Sequence, residues 1–209
     1  MYRASEEHGS PQMRGPRQFA RSHRGFRVWP TATALCLLSI FASSTKAQSN
    51  APGEYQMKAA FLFHFAEFVE WPAEAFQELN GPLTYCIVGD DPFRGALDES
   101  LRGKRVGLHP LRVEHLKVSE PVQRCHVVFL GPTESKRLPG VLASVAGSPV
   151  LTVGDSESFV KEGGMIAFCL EGTKMRFEIN LAAANTARLK ISARLLALAK
   201  AIVGDPRGN

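Results

Sequence analysis

Residues able to do chemistry are thinly spread along this chain. Cys36, Cys86, Cys125 and Cys169 could bridge, bind metal or act as nucleophiles. None stands in a C-x-x-C pair, which argues against a thioredoxin-like dithiol. No close His/Cys cluster suggests zinc. His64, His109, His115 and His126 are scattered, and each reads as a surface or core residue. Asp90 and Asp91 follow an apolar run, Leu83–Val88, at a place where open α/β sheets bind ligands. Asp before Pro92 is also an ordinary helix cap, and the cap is the favoured reading. Arg176, Glu178 and Asn180 share one strand face by the period of two. Asn185, Arg188 and Ser192 fall at helical spacing on the side of Ile191, Leu195, Leu198 and Ile202. A buried arginine has to be paired. This set is therefore either a structural polar network or a small anionic-ligand pocket. The nucleophile elbow, the phosphate loop, G-x-G-x-x-G and H-E-x-x-H are all missing, so no catalytic residue, metal or cofactor is expected.

The first residues say where such groups would work. Arg14, Arg17, Arg21, Arg24 and Arg27 lead into the apolar run Ala32–Ala42, followed by Ser43-Ser44-Thr45-Lys46-Ala47. That is the layout of a secretory signal peptide over residues 1–47, cut near Ala47. The run is shorter than the about 20 apolar residues that span a bilayer. The leader also changes the charge reading. The whole chain of 209 residues has a net charge of +5. Residues 1–47 hold seven Lys and Arg against two Asp and Glu, leaving 18 of each sign in 48–209. A neutral remainder has no basic excess to offset phosphate charge, so nucleic acid is not an expected partner. Residues 54–203 read as one domain of sufficient size for a core.

Export puts thiols in an oxidising compartment. With Cys36 in the leader, three cysteines remain. Cys86 and Cys125, 39 residues apart, are the favoured pair, with two buried free thiols as the alternative. Cys169 lies in the apolar run Met165–Leu170 and reads as a buried small hydrophobe.

The elements that position these groups follow from periodicity. Tyr55–Glu70 predicts a helix, with Met57, Phe61, Leu62, Phe65, Ala66, Phe68 and Val69 on one stripe and Pro72 as its stop. Phe63 falls on the polar side, where its own helix cannot bury it. Strands are predicted at Leu83–Val88, 105–113, His126–Leu130, Val150–Val153, Met165–Leu170 and Lys174–Asn180. The last two form a hairpin around Glu171-Gly172-Thr173. Helices are predicted at Pro92–Leu101, 133–146 and, briefly, 156–160. A long helix over Leu181–Val203 closes the chain. The alternation predicts a single three-layer α/β domain, with a mostly parallel sheet and an antiparallel edge hairpin.

The stretch Lys58-Ala59-Ala60-Phe61-Leu62-Phe63-His64-Phe65-Ala66-Glu67-Phe68-Val69-Glu70-Trp71-Pro72 resembles the opening motif of the YfiR family. So do Val88–Phe93, Cys125–Leu130, Gly163–Ile166 with Arg176–Leu181, and Leu189–Leu196, in order along the chain. The resemblance implies a periplasmic, non-enzymatic regulator that binds the periplasmic domain of an inner-membrane sensor protein. For the best-understood members that sensor is a diguanylate cyclase, held in check so that cyclic-di-GMP and biofilm stay low. A histidine kinase is the other sensor type expected as a partner. It also implies a disulfide at Cys86 and Cys125 and a possible homodimer. A second family disulfide has no complete counterpart, since Cys169 stands alone. Phe63 and Trp71 are the expected partner-surface residues. A periplasmic small-ligand-binding module is the alternative function.

Overall fold

The computed structural model describes residues 51–156 and 158–204; the expected leader lies outside them. Helix α1 runs Ala51–Glu67 and gives way to a two-residue strand, β1, Val69–Glu70. It stops before the predicted Glu70 for two reasons. Trp71, immediately ahead of Pro72, avoids helical angles, and Val69 and Glu70 find antiparallel partners in Ile191 and Lys190.

The remaining elements are β2 Leu83–Val88, α2 Ala96–Leu101, β3 Arg105–Val106, β4 His109–Leu116, β5 Val127–Leu130, α3 Leu138–Ser144, β6 Leu151–Gly154, β7 Ile166–Glu171, β8 Lys174–Asn180, α4 Leu181–Thr186, β9 Lys190–Ile191, α5 Ala193–Leu198 and β10 Ala201–Val203. Eight strands form the main sheet in the order β10-β8-β7-β6-β5-β2-β4-β3. The β2–β4, β2–β5, β5–β6, β6–β7 and β8–β10 pairs are parallel. The β7–β8 hairpin and the short β3–β4 pair are antiparallel. The mostly parallel α/β sheet of the sequence reading is what the chain forms.

Successive residues on the central strands alternate between two cores, as the pleat requires. Leu83, Tyr85, Ile87, Val127, Phe129, Leu151 and Val153 pack with Leu62 and Phe65 of α1 and Leu97 of α2. Cys86, Val88, Val128 and Leu130 pack on the other face with Leu138 and Val141 of α3. Phe159 belongs to this second core, and its ring fills the space above Gly154 and Gly164, where a methyl group on either glycine would overlap it. In place of the expected helix at 156–160, residues 158–160 form turns around that ring.

The long C-terminal helix does not form. Arg188 takes a left-handed φ of 60°, which an α-helix cannot continue through. Ser192 then caps α5, its Oγ accepting from Leu195 N–H over 3.3 Å. The run ends in β10, which pairs with β8. Residues 181–203 contain no Gly or Pro to mark these breaks. They arise because β1 and β8 offer backbone partners that one continuous helix would leave unused.

Candidate functional site

Two ends of the sheet gather the polar and aromatic side chains. At the C-terminal end, the loops after β2 and β5 leave in opposite directions, since β2 leads on to β4 and β5 to β6. That divergence is the switch point where open α/β sheets hold ligands. A cleft of about 650 Å³ lies there, with Tyr55, Asp90, Arg94, Glu99, Arg102 and Thr133 among its lining residues. Asp91 serves the local fold, its Oδ1 accepting from Phe93 N–H over 2.8 Å. Asp90 is exposed beside it.

Beside this cleft sits an ionic group that sequence reasoning missed. Lys58 is only 2 % exposed, although it is a lysine on the opening helix. Its Nζ lies 2.5 Å from Glu54 Oε1 and 2.6 Å from Asp155 Oδ2. Tyr55 donates its hydroxyl to the same Asp155 oxygen over 2.7 Å. Burial, then the bond to Asp155 and the nearby carboxylate charges, push the Tyr55 phenol well above its ordinary range. The Lys58 ammonium also lies 4.4 Å from the centre of the Tyr55 ring. The group fixes the start of α1 to the end of β6. Its one sequence signal is the i, i+4 Glu54–Lys58 spacing, which surface helices share.

The N-terminal end of the sheet carries the disulfide and an aromatic cluster. The Sγ atoms of Cys86 and Cys125 are bonded, with Cα atoms 5.9 Å apart, joining β2 to the entry of β5. Cys169 is a free thiol, partly buried on β7. Trp71 is half-buried, with its indole N–H directed at the Ala66 carbonyl over 3.4 Å. Its ring meets Phe76 and His126 edge-on. Phe63 is also half-buried: Lys104 of the neighbouring hairpin places Nζ 4.3 Å from its ring centre, which is how a phenylalanine on the polar side of α1 finds cover.

The C-terminal stripe is not one site. Arg176 Nε approaches Glu171 at 3.9 Å, and Glu178 approaches Lys200 at 4.0 Å. Asn180 caps α4 by accepting from Ala183 N–H, and donates to the Val160 carbonyl. Asn185 is exposed. Arg188 is exposed and reaches Glu74 at 3.5 Å, while Ser192 caps α5. The face expected from helical angles is divided because the helix is divided.

No group of three or more His, Cys, Asp or Glu able to hold a metal is found among the described residues. No described helix is long and apolar enough to cross a membrane.

The described residues form an α/β fold with a switch-point cleft at one end of the sheet and a disulfide and an aromatic cluster at the other. Residues 55–200 match the YfiR/HmsC-like family model, and the chain belongs to that family. Among solved structures, it is similar to a conserved domain protein from Vibrio cholerae O1 biovar eltor, with 10 % identity and a TM-score of 0.50. It is also similar to an ABC domain in complex with L-Trp from Streptococcus pneumonia, with 12 % identity and a TM-score of 0.49. Each match covers 71 % of this chain, and the chain spans only 60 % of either solved chain. The first likeness bears on the fold alone.

Proposed function

We propose that this chain is an exported, non-catalytic regulator that binds the periplasmic domain of an inner-membrane sensor protein and represses it, with a diguanylate cyclase as the first candidate. Membership of the YfiR/HmsC-like family over residues 55–200 carries this reading. Three features support it. Residues 1–47 have the layout of a cleaved leader. The Cys86–Cys125 bridge suits an oxidising compartment. Basic and acidic residues balance over 48–209, 18 of each, and the buried Lys58 is paired with Asp155. Phe63 and Trp71 are the contact residues, as aromatics that the core covers only in part. Deleting the gene tests the repressor role: intracellular cyclic-di-GMP rises if the reading is right, and an unchanged level removes the cyclase from it.

A second reading is favoured by the cleft between the β2 and β5 loops. In it the chain is a periplasmic small-ligand-binding module, alone or with the ligand modulating partner contact. A thermal-shift screen of nucleotides and amino acids tests this, since a ligand of the native state raises the melting temperature. A screen without any shift at high concentration counts against it.

A further inference from the structure

Phe76 is held between two imidazoles. Its ring stacks on His109 with centroids 3.6 Å apart and planes 8° apart. On its other neighbour, His126, the centroids are 4.7 Å apart and the planes 23° apart. Trp71 stands edge-on to His126 at 6.0 Å. These contacts fasten the Val69–Gly81 segment, a tether between α1 and β2, to the N-terminal end of the sheet. His109 adds an Nδ1 contact of 2.8 Å to the Gly81 carbonyl.

His126 is the central piece, and a neighbour dictates its proton. Thr84 N–H donates to Nδ1 over 3.1 Å. A peptide N–H can only donate, so Nδ1 is the bare nitrogen and Nε2 carries the ring hydrogen. A second proton must therefore go onto Nδ1 itself. The Thr84 bond is then lost, and two donors oppose one another in a buried place.

The charged groups around the ring do not relieve this. His109, Arg112 and Glu114 of β4, Arg124 beside Cys125, and Glu74 and Glu78 of the tether share its cavity or stack. Glu114 approaches Arg112 at 3.8 Å and Arg124 at 3.1 Å, and Glu74 is paired with Arg188. Among the described residues no ion pair involves His126. Burial holds the ring below its ordinary value near 6.5, and His109 adds to this. The Ala75 backbone carbonyl, short of a formed hydrogen bond, acts in the opposite sense.

We propose that His126 is a proton-operated latch. With the ring neutral, the Trp71–Phe76–His126 cluster is closed. With the ring doubly protonated, the Thr84 bond breaks and the tether detaches from the sheet, altering the surface that carries Trp71. The effect on a partner rests on Trp71 being a contact residue; the latch itself does not.

Trp29 and Trp71 are the chain's two tryptophans, and Trp29 lies in the expected leader, so the processed chain keeps Trp71 as its single reporter. Its emission is followed in that chain from about pH 8 to about pH 4. The latch gives one sigmoidal red shift with its midpoint below about 6.5. Adding His126→Asn abolishes the step, because asparagine Oδ1 keeps an acceptor for Thr84 but takes no proton. A step that survives His126→Asn, or no step in the parent, overturns the latch. Should the asparagine variant not fold, the Thr84 amide of the parent decides. Its protection, corrected for intrinsic exchange, falls about tenfold through the same midpoint, the factor expected for one ordinary hydrogen bond. Constant protection overturns the latch. Both readouts need no partner, so a failure of partner binding is seen separately.

Discussion

Lys58 Nζ lies 2.6 Å from Asp155 Oδ2, an ion pair of a buried lysine and a partly buried carboxylate 97 residues apart in the chain. It ties the opening helix to the end of a central strand, next to the switch-point cleft. Breaking such a pair leaves one charge without its partner, which costs about 3–5 kcal/mol. Lys58→Met is therefore expected to lower unfolding free energy by about 3 kcal/mol in urea titrations. Adding Asp155→Asn should recover part of the loss, because one of the two carboxylates left without Lys58, Asp155 and Glu54, is then neutral. A Lys58→Met protein as stable as the parent would mean that the pair is structurally idle.

The disulfide closes a loop with a sequence separation of 39 residues. In the chain-entropy account such a loop is worth roughly 4 kcal/mol. Cys86→Ser should melt lower than the parent under oxidising conditions, and match it when both are reduced. Equal melting in both conditions would mean that the bridge contributes nothing. Cys169 is not needed for this result, since it is not part of the bridge.

The elements that arrange these pairs were unequally legible in the sequence. Val127–Leu130 and Leu83–Val88 are buried throughout, and their mostly apolar runs make them legible as strands from composition. The Lys174–Asn180 strand matched its expected bounds, because Gly172 supplies the positive φ that its hairpin turn needs. The C-terminal region departs from the single helix expected there for a physical reason. Its apolar residues do recur at helical spacing, but Ile191 pairs with Val69, and Ala201–Val203 join the sheet edge beside β8. Those partners are distant in sequence, and local periodicity carries no trace of them. Lys58 was hidden for the same reason. A lysine on a helix reads as solvated until its carboxylate partner, 97 residues away, is in place. Trp71 and Phe63 stood out as aromatics, whereas the stack of Phe76 between His109 and His126 depends on three separate segments.

Acid should weaken the fold through His126. Its folded pKa lies below the unfolded value near 6.5, so the unfolded chain binds the extra proton first. Stability linked to this group is fully present above about pH 6.5 and falls as pH drops below it. The fall levels off once the native ring itself takes the proton. Urea titrations across this range should show the slope in the parent and a smaller one in His126→Asn. Identical slopes would mean that the group does not couple to folding.

Phe159 leaves no room above Gly154. Gly154→Ala overpacks the second core and should cost about 1–3 kcal/mol. Calorimetry on that variant checks the claim, with an unchanged melting temperature as the contrary result.

The central claim is action through surface contact with a membrane sensor. Affinity capture from a solubilised membrane extract, using the tagged protein as exported, tests it most directly. The expected result is recovery of an inner-membrane protein with a periplasmic domain and a cytoplasmic signalling domain. Trp71→Ala should weaken that capture by about tenfold or more, as for a residue at the centre of an interface. Capture of no such protein, or equal capture by Trp71→Ala and Phe63→Ala variants that fold normally, would contradict the account.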